Sequence, residues 1–235
     1  MRYPNRKFAV SRNAPRARLL APLVALALIV CVPARADTPV TATLLIVGDS
    51  LSAAYGIARD EGWVSLLERR LETRMPGKHQ VVNASISGDT SANGLQRLPS
   101  ALEQHDPDAV LLELGGNDGL RGLSPGQLEE NLGLMIEMSR EAGARVGLLG
   151  IRIPPNYGQA YTEAFESVYT RLAERYGIPL VPFMLEGVAL DSALMQDDGI
   201  HPNARAQPQI LDHVWPIIEQ LLEASPGQRD SASGS

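Results

Sequence analysis

The sequence predicts an α/β protein, a three-layer α/β/α sandwich around one mainly parallel sheet of five strands. Three observations carry that expectation. Short apolar runs of strand length alternate along the chain with amphipathic stretches of helix length, the pattern of a parallel sheet covered on both faces. The runs are rich in valine, isoleucine and leucine and almost free of charge, as strands with two buried faces require. After the first segment no repeat or linker divides the chain, and 235 residues with 44% apolar content can bury one sizeable core.

That first segment is residues 1–36. Arg2, Arg6, Lys7, Arg12, Arg16 and Arg18 form a basic region without an acid, residues 19–32 are apolar, and Ala34-Arg35-Ala36 fits a small-residue cleavage site. The segment reads as a secretory signal peptide, which would make the mature protein periplasmic or secreted. An uncleaved membrane anchor is the alternative. The apolar stretch is short for spanning a bilayer, and Pro22 interrupts it. Cys31, the only cysteine, leaves with the segment, and Leu28-Ile29-Val30 lack the small residues expected before a lipid-modified cysteine. The mature chain would have no disulfide and would rely on its core.

Strand one ends at Leu44-Leu45-Ile46-Val47-Gly48, and Ser50 follows two residues later. A glycine lets the backbone turn where a side chain would clash, so Ser50 is delivered to the carboxyl end of a buried strand. Open α/β sheets place their ligands at that end. Trp63, Val64, Leu66, Leu67 and Leu71 mark a helix face that ends near Pro76-Gly77. Residues 80–83 read as a short strand, 84–90 as a small-residue loop, and a helix follows to about His105. Residues 109–114 form the third strand and stop at the loop Gly115-Gly116-Asn117-Asp118-Gly119. Ser124-Pro125-Gly126-Gln127 has the form of a capping box, opening a helix to about Ala142. Strand four spans 145–151, an irregular loop 153–158, a helix 160–176 and a short fifth strand 179–182. Residues 185–194 are ambiguous, and 197–203 are loop. The last helix carries Pro208 in its first turn and Pro216, which should kink it, within. Residues 225–235 read as a polar, disordered tail, leaving 37–224 as the folded domain.

Removal of residues 1–36 leaves 14 basic against 27 acidic side chains, a net charge of −13. That argues against a nucleic-acid partner and against an electrostatic hold on anionic membranes. No stable membrane insertion of the mature chain and no cofactor are expected, and a monomer is.

Three loops after three apolar strands carry Ser50, Gly88 and Asn117, and a fourth loop carries Asp198 and His201. A serine hydroxyl becomes a useful nucleophile when a neighbouring base takes its proton. Histidine is the usual base at neutral pH, and an acid on its other nitrogen fixes the tautomer. Asp198 is three residues from His201, close enough for one tight loop to hold both, though Asp197 could be the partner instead. An oxyanion needs donors already aimed at it, which the Gly88 amide and the Asn117 carboxamide could supply. Each residue also has a plainer reading: Gly88 as a turn glycine, Asn117 or Asp198 as a cap, His201 as a surface histidine. A metal site is not expected. Asp49, Asp198 and His201 could converge, but His79, His105 and His213 fit no ligand spacing with them.

These residues carry a resemblance to the SGNH, or GDSL, hydrolases. The blocks occur in family order: Gly48-Asp49-Ser50-Leu51-Ser52, Ser85-Ile86-Ser87-Gly88-Asp89-Thr90, Gly115-Gly116-Asn117-Asp118 and Asp198-Gly199-Ile200-His201-Pro202. Within the family the chain is most similar to the periplasmic group with acyl-CoA thioesterase, lysophospholipase and arylesterase activity. The resemblance implies a flavodoxin-like sandwich, Ser50 as nucleophile, His201 as general base and then acid, and Asp198 orienting it. It implies an oxyanion hole from the Ser50 and Gly88 amides and the Asn117 side chain. It also points to two loops bordering an acyl groove, here Gly119, Leu120, Arg121, Gly122 and Leu123, and Ile153, Pro155 and Tyr157. The nucleophile elbow of the α/β-hydrolase fold, G-x-S-x-G, is excluded because position 52 is Ser. The implied activity is hydrolysis of small acyl esters and thioesters through an acyl-enzyme. Two alternatives remain at this point: a carbohydrate deacetylase on the same fold, and a lipid carrier with a vestigial site.

Overall fold

The apolar run before Ser50 forms β1 (Ala42–Gly48), and Leu44, Leu45, Ile46 and Val47 within it are fully buried. Successive strand residues point to opposite faces, so such burial means that both faces are covered. The computed structural model describes residues 42–223; the expected signal peptide and polar tail lie outside them. The other strands are β2 (His79–Asn83), β3 (Ala109–Glu113), β4 (Arg145–Leu149) and β5 (Leu180–Val181). Their order is β2-β1-β3-β4-β5, and every pairing is parallel. The order reverses between β1 and β3, which leaves a crevice beyond their carboxyl ends. Ser50 lies just past one of those ends and Asn117 just past the other.

The helices are α1 (Trp63–Arg74), α2 (Ser91–His105), α3 (Gly116–Leu120), α4 (Pro125–Glu141), α5 (Gln159–Tyr176) and α6 (Gln207–Glu223). α1 packs with α6, and α2, α4 and α5 pack in series, which gives the sheet its two helical layers. The first amides of a helix have no partner within it. In α1 the Trp63 amide donates instead to the Gln207 side chain at 3.0 Å, so α1 and α6 start from one buried bond.

Two local expectations differ from the structure. Residues 116–120 form the short helix α3 rather than a loop. It is held to α2 by Asp118, whose carboxylate accepts from the Ser91 amide at 2.8 Å and the Ser91 hydroxyl at 2.5 Å. The box at Ser124 does not form: the serine side chain caps nothing, and Gln127 donates forward to Glu130 and Asn131. The Gln127 amide that such a box would give to the serine hydroxyl donates instead to the Ser124 carbonyl at 3.0 Å. Pro216 lies inside α6, where Val214, Ile217 and Ile218 around it are buried and their burial offsets one lost backbone bond.

Candidate active site

Gly48 is required by close approach. A Cβ there would stand 2.6 Å from Glu113 Oε2 and 2.9 Å from Ser85 Oγ. The chain then turns, with the Ala53 amide returning to the Asp49 carbonyl at 3.0 Å, and Ser50 projects from this turn. The histidine loop is closed by an isolated bridge between Met195 and Pro202 and by the Gln196 amide donating to the His201 carbonyl at 2.8 Å. The Gln196 side chain spans the two loops: its Nε2 donates to the Tyr55 carbonyl at 2.8 Å and the Pro202 carbonyl at 3.0 Å.

This brings His201 Nε2 to 2.9 Å from Ser50 Oγ, across 151 residues of sequence. On its other side His201 Nδ1 is 2.6 Å from Asp198 Oδ2. Asp198 Oδ1 accepts from the Ile200 amide at 2.9 Å and the His201 amide at 3.0 Å. Burial pushes this carboxyl up, but the His201 amide and ring and the Ile200 amide outweigh it and hold its pKa at about 2. An ionised Asp198 accepts from an Nδ1–H, which leaves Nε2 as an acceptor facing the serine hydroxyl. Asp198, not Asp197, makes this contact. The Tyr55 ring lies on His201 with centroids 4.5 Å apart.

The oxyanion candidates Ser50, Gly88 and Asn117 lie on the segments that follow β1, β2 and β3. Gly88 has φ +86°, a left-handed conformation that glycine adopts without strain. Neither the Ser50 nor the Gly88 amide donates to another described residue. Asn117 Nδ2 donates to Asp49 Oδ2 at 3.1 Å and to the Asp89 carbonyl at 2.9 Å, so an oxyanion would compete for one of these N–H groups. The Gly88 loop is fixed by Arg97, which reaches Asp89 at 2.7 Å, the Gly48 carbonyl at 3.2 Å and the Ala84 carbonyl. Arg121 adds a bond to the Gly88 carbonyl at 2.9 Å.

Two buried carboxyls lie beneath the serine. Glu113 is fully buried; its Oε2 accepts from Ser52 Oγ at 2.7 Å and the Asp49 amide at 3.2 Å, while Oε1 has no partner. Burial, and then the neighbouring Asp49 charge, push its pKa well above the usual range. Burial likewise raises Asp49 to about 6, against the pull of the Leu51 amide, His201 and Asn117.

A cleft of about 980 Å³ opens beside Ser50 and His201. Of the loop residues expected to border it, Leu120, Ile153 and Pro155 do so. Gly119, Arg121, Gly122, Leu123 and Tyr157 do not. Gly119 lies under Ile153, whose Cδ1 would be 2.0 Å from a Cβ there. Tyr157 turns away to donate to the Leu120 carbonyl at 2.8 Å. Much of the remaining wall comes from Leu185, Ala189 and Leu190, in the segment that was ambiguous in sequence, and from Phe183 and Met195 on either side of it. Sequence reasoning also passed over Tyr55, Arg97, Glu113 and Gln196. Only the unpatterned apolar content of 183–195 carried a signal, since a non-helical apolar segment must cover something.

Fold and site together define a class, the hydrolases built on a parallel α/β/α sandwich. Residues 46–207 match the GDSL-like Lipase/Acylhydrolase family. The chain is 54% identical over 180 residues to "Esterase TesA" of Pseudomonas aeruginosa, covering 77% of this chain and 89% of that protein. It is 49% identical over 180 residues to "Thioesterase 1/protease 1/lysophospholipase L1" of Escherichia coli K12, covering 77% and 85%. A crystal structure of TesA superposes with TM-score 0.74 over 76% of this chain and 99% of that one, at 54% identity. The psychrotrophic esterase EstA from Pseudoalteromonas sp., inhibited by monoethylphosphonate, superposes with TM-score 0.74 at 43% identity, over 77% and 99%. The chain belongs to the GDSL-like lipase/acylhydrolase family.

Proposed function

We propose that this chain is an exported serine hydrolase that cleaves carboxylic esters and thioesters through an acyl-enzyme on Ser50. The 2.9 Å approach of His201 Nε2 to Ser50 Oγ, with Asp198 2.6 Å behind the ring, is the observation that carries the reading. Ser50 attacks the acyl carbonyl while His201 takes its proton. The developing oxyanion is received by the Ser50 and Gly88 amides and by Asn117. His201 then protonates the leaving alcohol or thiol. A water deprotonated by His201 attacks the acyl-enzyme, the bond from the acyl carbon to Ser50 Oγ breaks, His201 returns the proton to Ser50 Oγ, and the acid leaves. The apolar cleft wall accommodates an acyl chain, which supports aryl, fatty and lysophospholipid esters and long acyl thioesters over acetylated sugars.

Residues 1–36 act as a cleaved signal peptide, the mature enzyme works in the periplasm or outside the cell, and it is a monomer. Among the described residues no helix is long and apolar enough to cross a membrane. N-terminal sequencing of protein recovered from the periplasm tests the export reading; a start at Met1 overturns it.

The mechanism is tested with a p-nitrophenyl ester and a fluorophosphonate label. The protein is expected to take one label and the Ser50→Ala variant none, with turnover lost. Full turnover by Ser50→Ala would defeat the mechanism.

A further inference from the structure

Among the described residues, seven large apolar side chains are exposed. Leu134 lies on α4. The other six are distributed over the loops at the carboxyl edge of the sheet. Tyr55 follows β1, Ile86 follows β2, and Leu123 follows the α3 turn beyond β3. Tyr157 follows β4, Leu190 follows β5, and Ile200 precedes His201. A single exposed leucine needs no explanation, but six such side chains gathered at one edge do. Because every strand pairing is parallel, these loops share the edge where the cleft opens. The rim is continuous with the site: Leu190 and Ile200 line the cleft, and Tyr55 stacks on His201.

We propose that this rim docks the enzyme on the surface of a zwitterionic lipid aggregate, from which an acyl chain passes into the cleft without crossing water. The occupant follows from position and charge. A protein seated on the rim would close the mouth to substrate, whereas a lipid surface supplies substrate through it. Asp198, Glu186 and Asp191 stand beside the cleft, Arg152 in its lining is already paired with Glu166 and Glu186, and without residues 1–36 the chain is net −13, which disfavours an anionic surface. Separate apolar side chains on separate loops suit shallow insertion among headgroups, as interfacial anchors do. The proposal rests on the acyl-ester reading for its purpose but not for its test.

The test uses the Ser50→Ala protein, which does not degrade the lipid, sedimented with phosphatidylcholine and with phosphatidylglycerol vesicles. It is expected to bind phosphatidylcholine, and phosphatidylglycerol more weakly. Adding Ile86→Glu should lower phosphatidylcholine binding about tenfold, and Leu190→Glu should do so independently. Leu134→Glu, on the far helix, should leave it unchanged. In the active protein, Ile86→Glu should slow turnover of micellar lysophosphatidylcholine while preserving turnover of dissolved p-nitrophenyl acetate. No binding by the parent, binding by both rim variants that is undiminished from the parent's, or a preference for phosphatidylglycerol overturns the proposal. Vesicle binding needs no chemistry, so a failed docking result is distinguishable from a failed esterase assay.

Discussion

Asp49 Oδ2 accepts a hydrogen bond from Asn117 Nδ2 at 3.1 Å, and so joins the turn that carries the serine to the short helix that follows β3. One buried carboxyl thereby orients the side chain proposed to face the developing oxyanion. Asn117→Ala is expected to lower kcat about 10²- to 10³-fold with little change in KM, the signature of an interaction made in the transition state. Asp49→Ala, which leaves the carboxamide held by the Asp89 carbonyl alone, should lower kcat in the same direction by less. Steady-state kinetics on a p-nitrophenyl ester measures both. A change confined to KM would contradict the assignment.

Asp49 also links stability to pH. Burial raises its folded-state pKa to about 6 from an ordinary 3.8. A carboxyl raised in this way contributes stability that is fully present below about pH 4 and is lost as pH rises through 6. The loss is on the order of 3 kcal/mol for such a shift. Asp49→Asn cannot ionise, so its stability relative to the parent should climb between pH 4 and 6 and level off above. Urea unfolding across that range checks this, and a pH-independent difference would count against it.

Asp198 works in the opposite sense. Its carboxyl is held at about pKa 2, so it stays ionised through the neutral range as an acceptor for His201 Nδ1. Asp198→Asn should lower kcat by about 10²- to 10⁴-fold, because an amide no longer imposes the required tautomer. Its melting temperature should hardly move, since the carboxylate is partly open to solvent and exposed charges contribute little to stability. Parallel kinetics and thermal melts separate these two effects.

The cleft wall assigns acyl selectivity to a residue that folding does not need. Leu190 is fully exposed and lines the cleft. Leu190→Ser should leave the melting temperature unchanged and reduce the ratio of long-chain to acetyl kcat/KM roughly three- to tenfold. An unaltered ratio across a p-nitrophenyl ester series would take Leu190 out of the acyl path.

The buried bonds between Asp118 and Ser91 make a stability prediction. Asp118→Ala leaves the Ser91 amide and hydroxyl at the start of α2 without their acceptor in a dry site. The expected loss is about 2–4 kcal/mol, seen as a lower urea midpoint with an unchanged slope.

The strands and helices were legible because each apolar run has the length and composition of its element, and Gly143 and Gly177 close two helices with positive φ. Three of the four chemical blocks were legible for a related reason, since each follows a strand that the pattern had already placed; the fourth precedes the last helix. Residues 116–120 were misread because a glycine-rich segment favours a loop, and only Asp118, docked on Ser91 from α2, makes it helical. Arg97 and Gln196 carry no local signature at all. Their partners, the Gly48 and Tyr55 carbonyls, are 49 and 141 residues away.

By itself, the amino-acid sequence determined the fold class, the order of the elements, and the residue types gathered at the carboxyl edge of the sheet. Periodicity and turn chemistry are local properties, and they survive being read one segment at a time. Tertiary structure alone decided which aspartate faces the imidazole, where the Asn117 donors point, and which side chains wall the cleft. Those outcomes depend on distances between segments far apart in the chain, and on the burial that sets the charge state of Asp49 and Glu113.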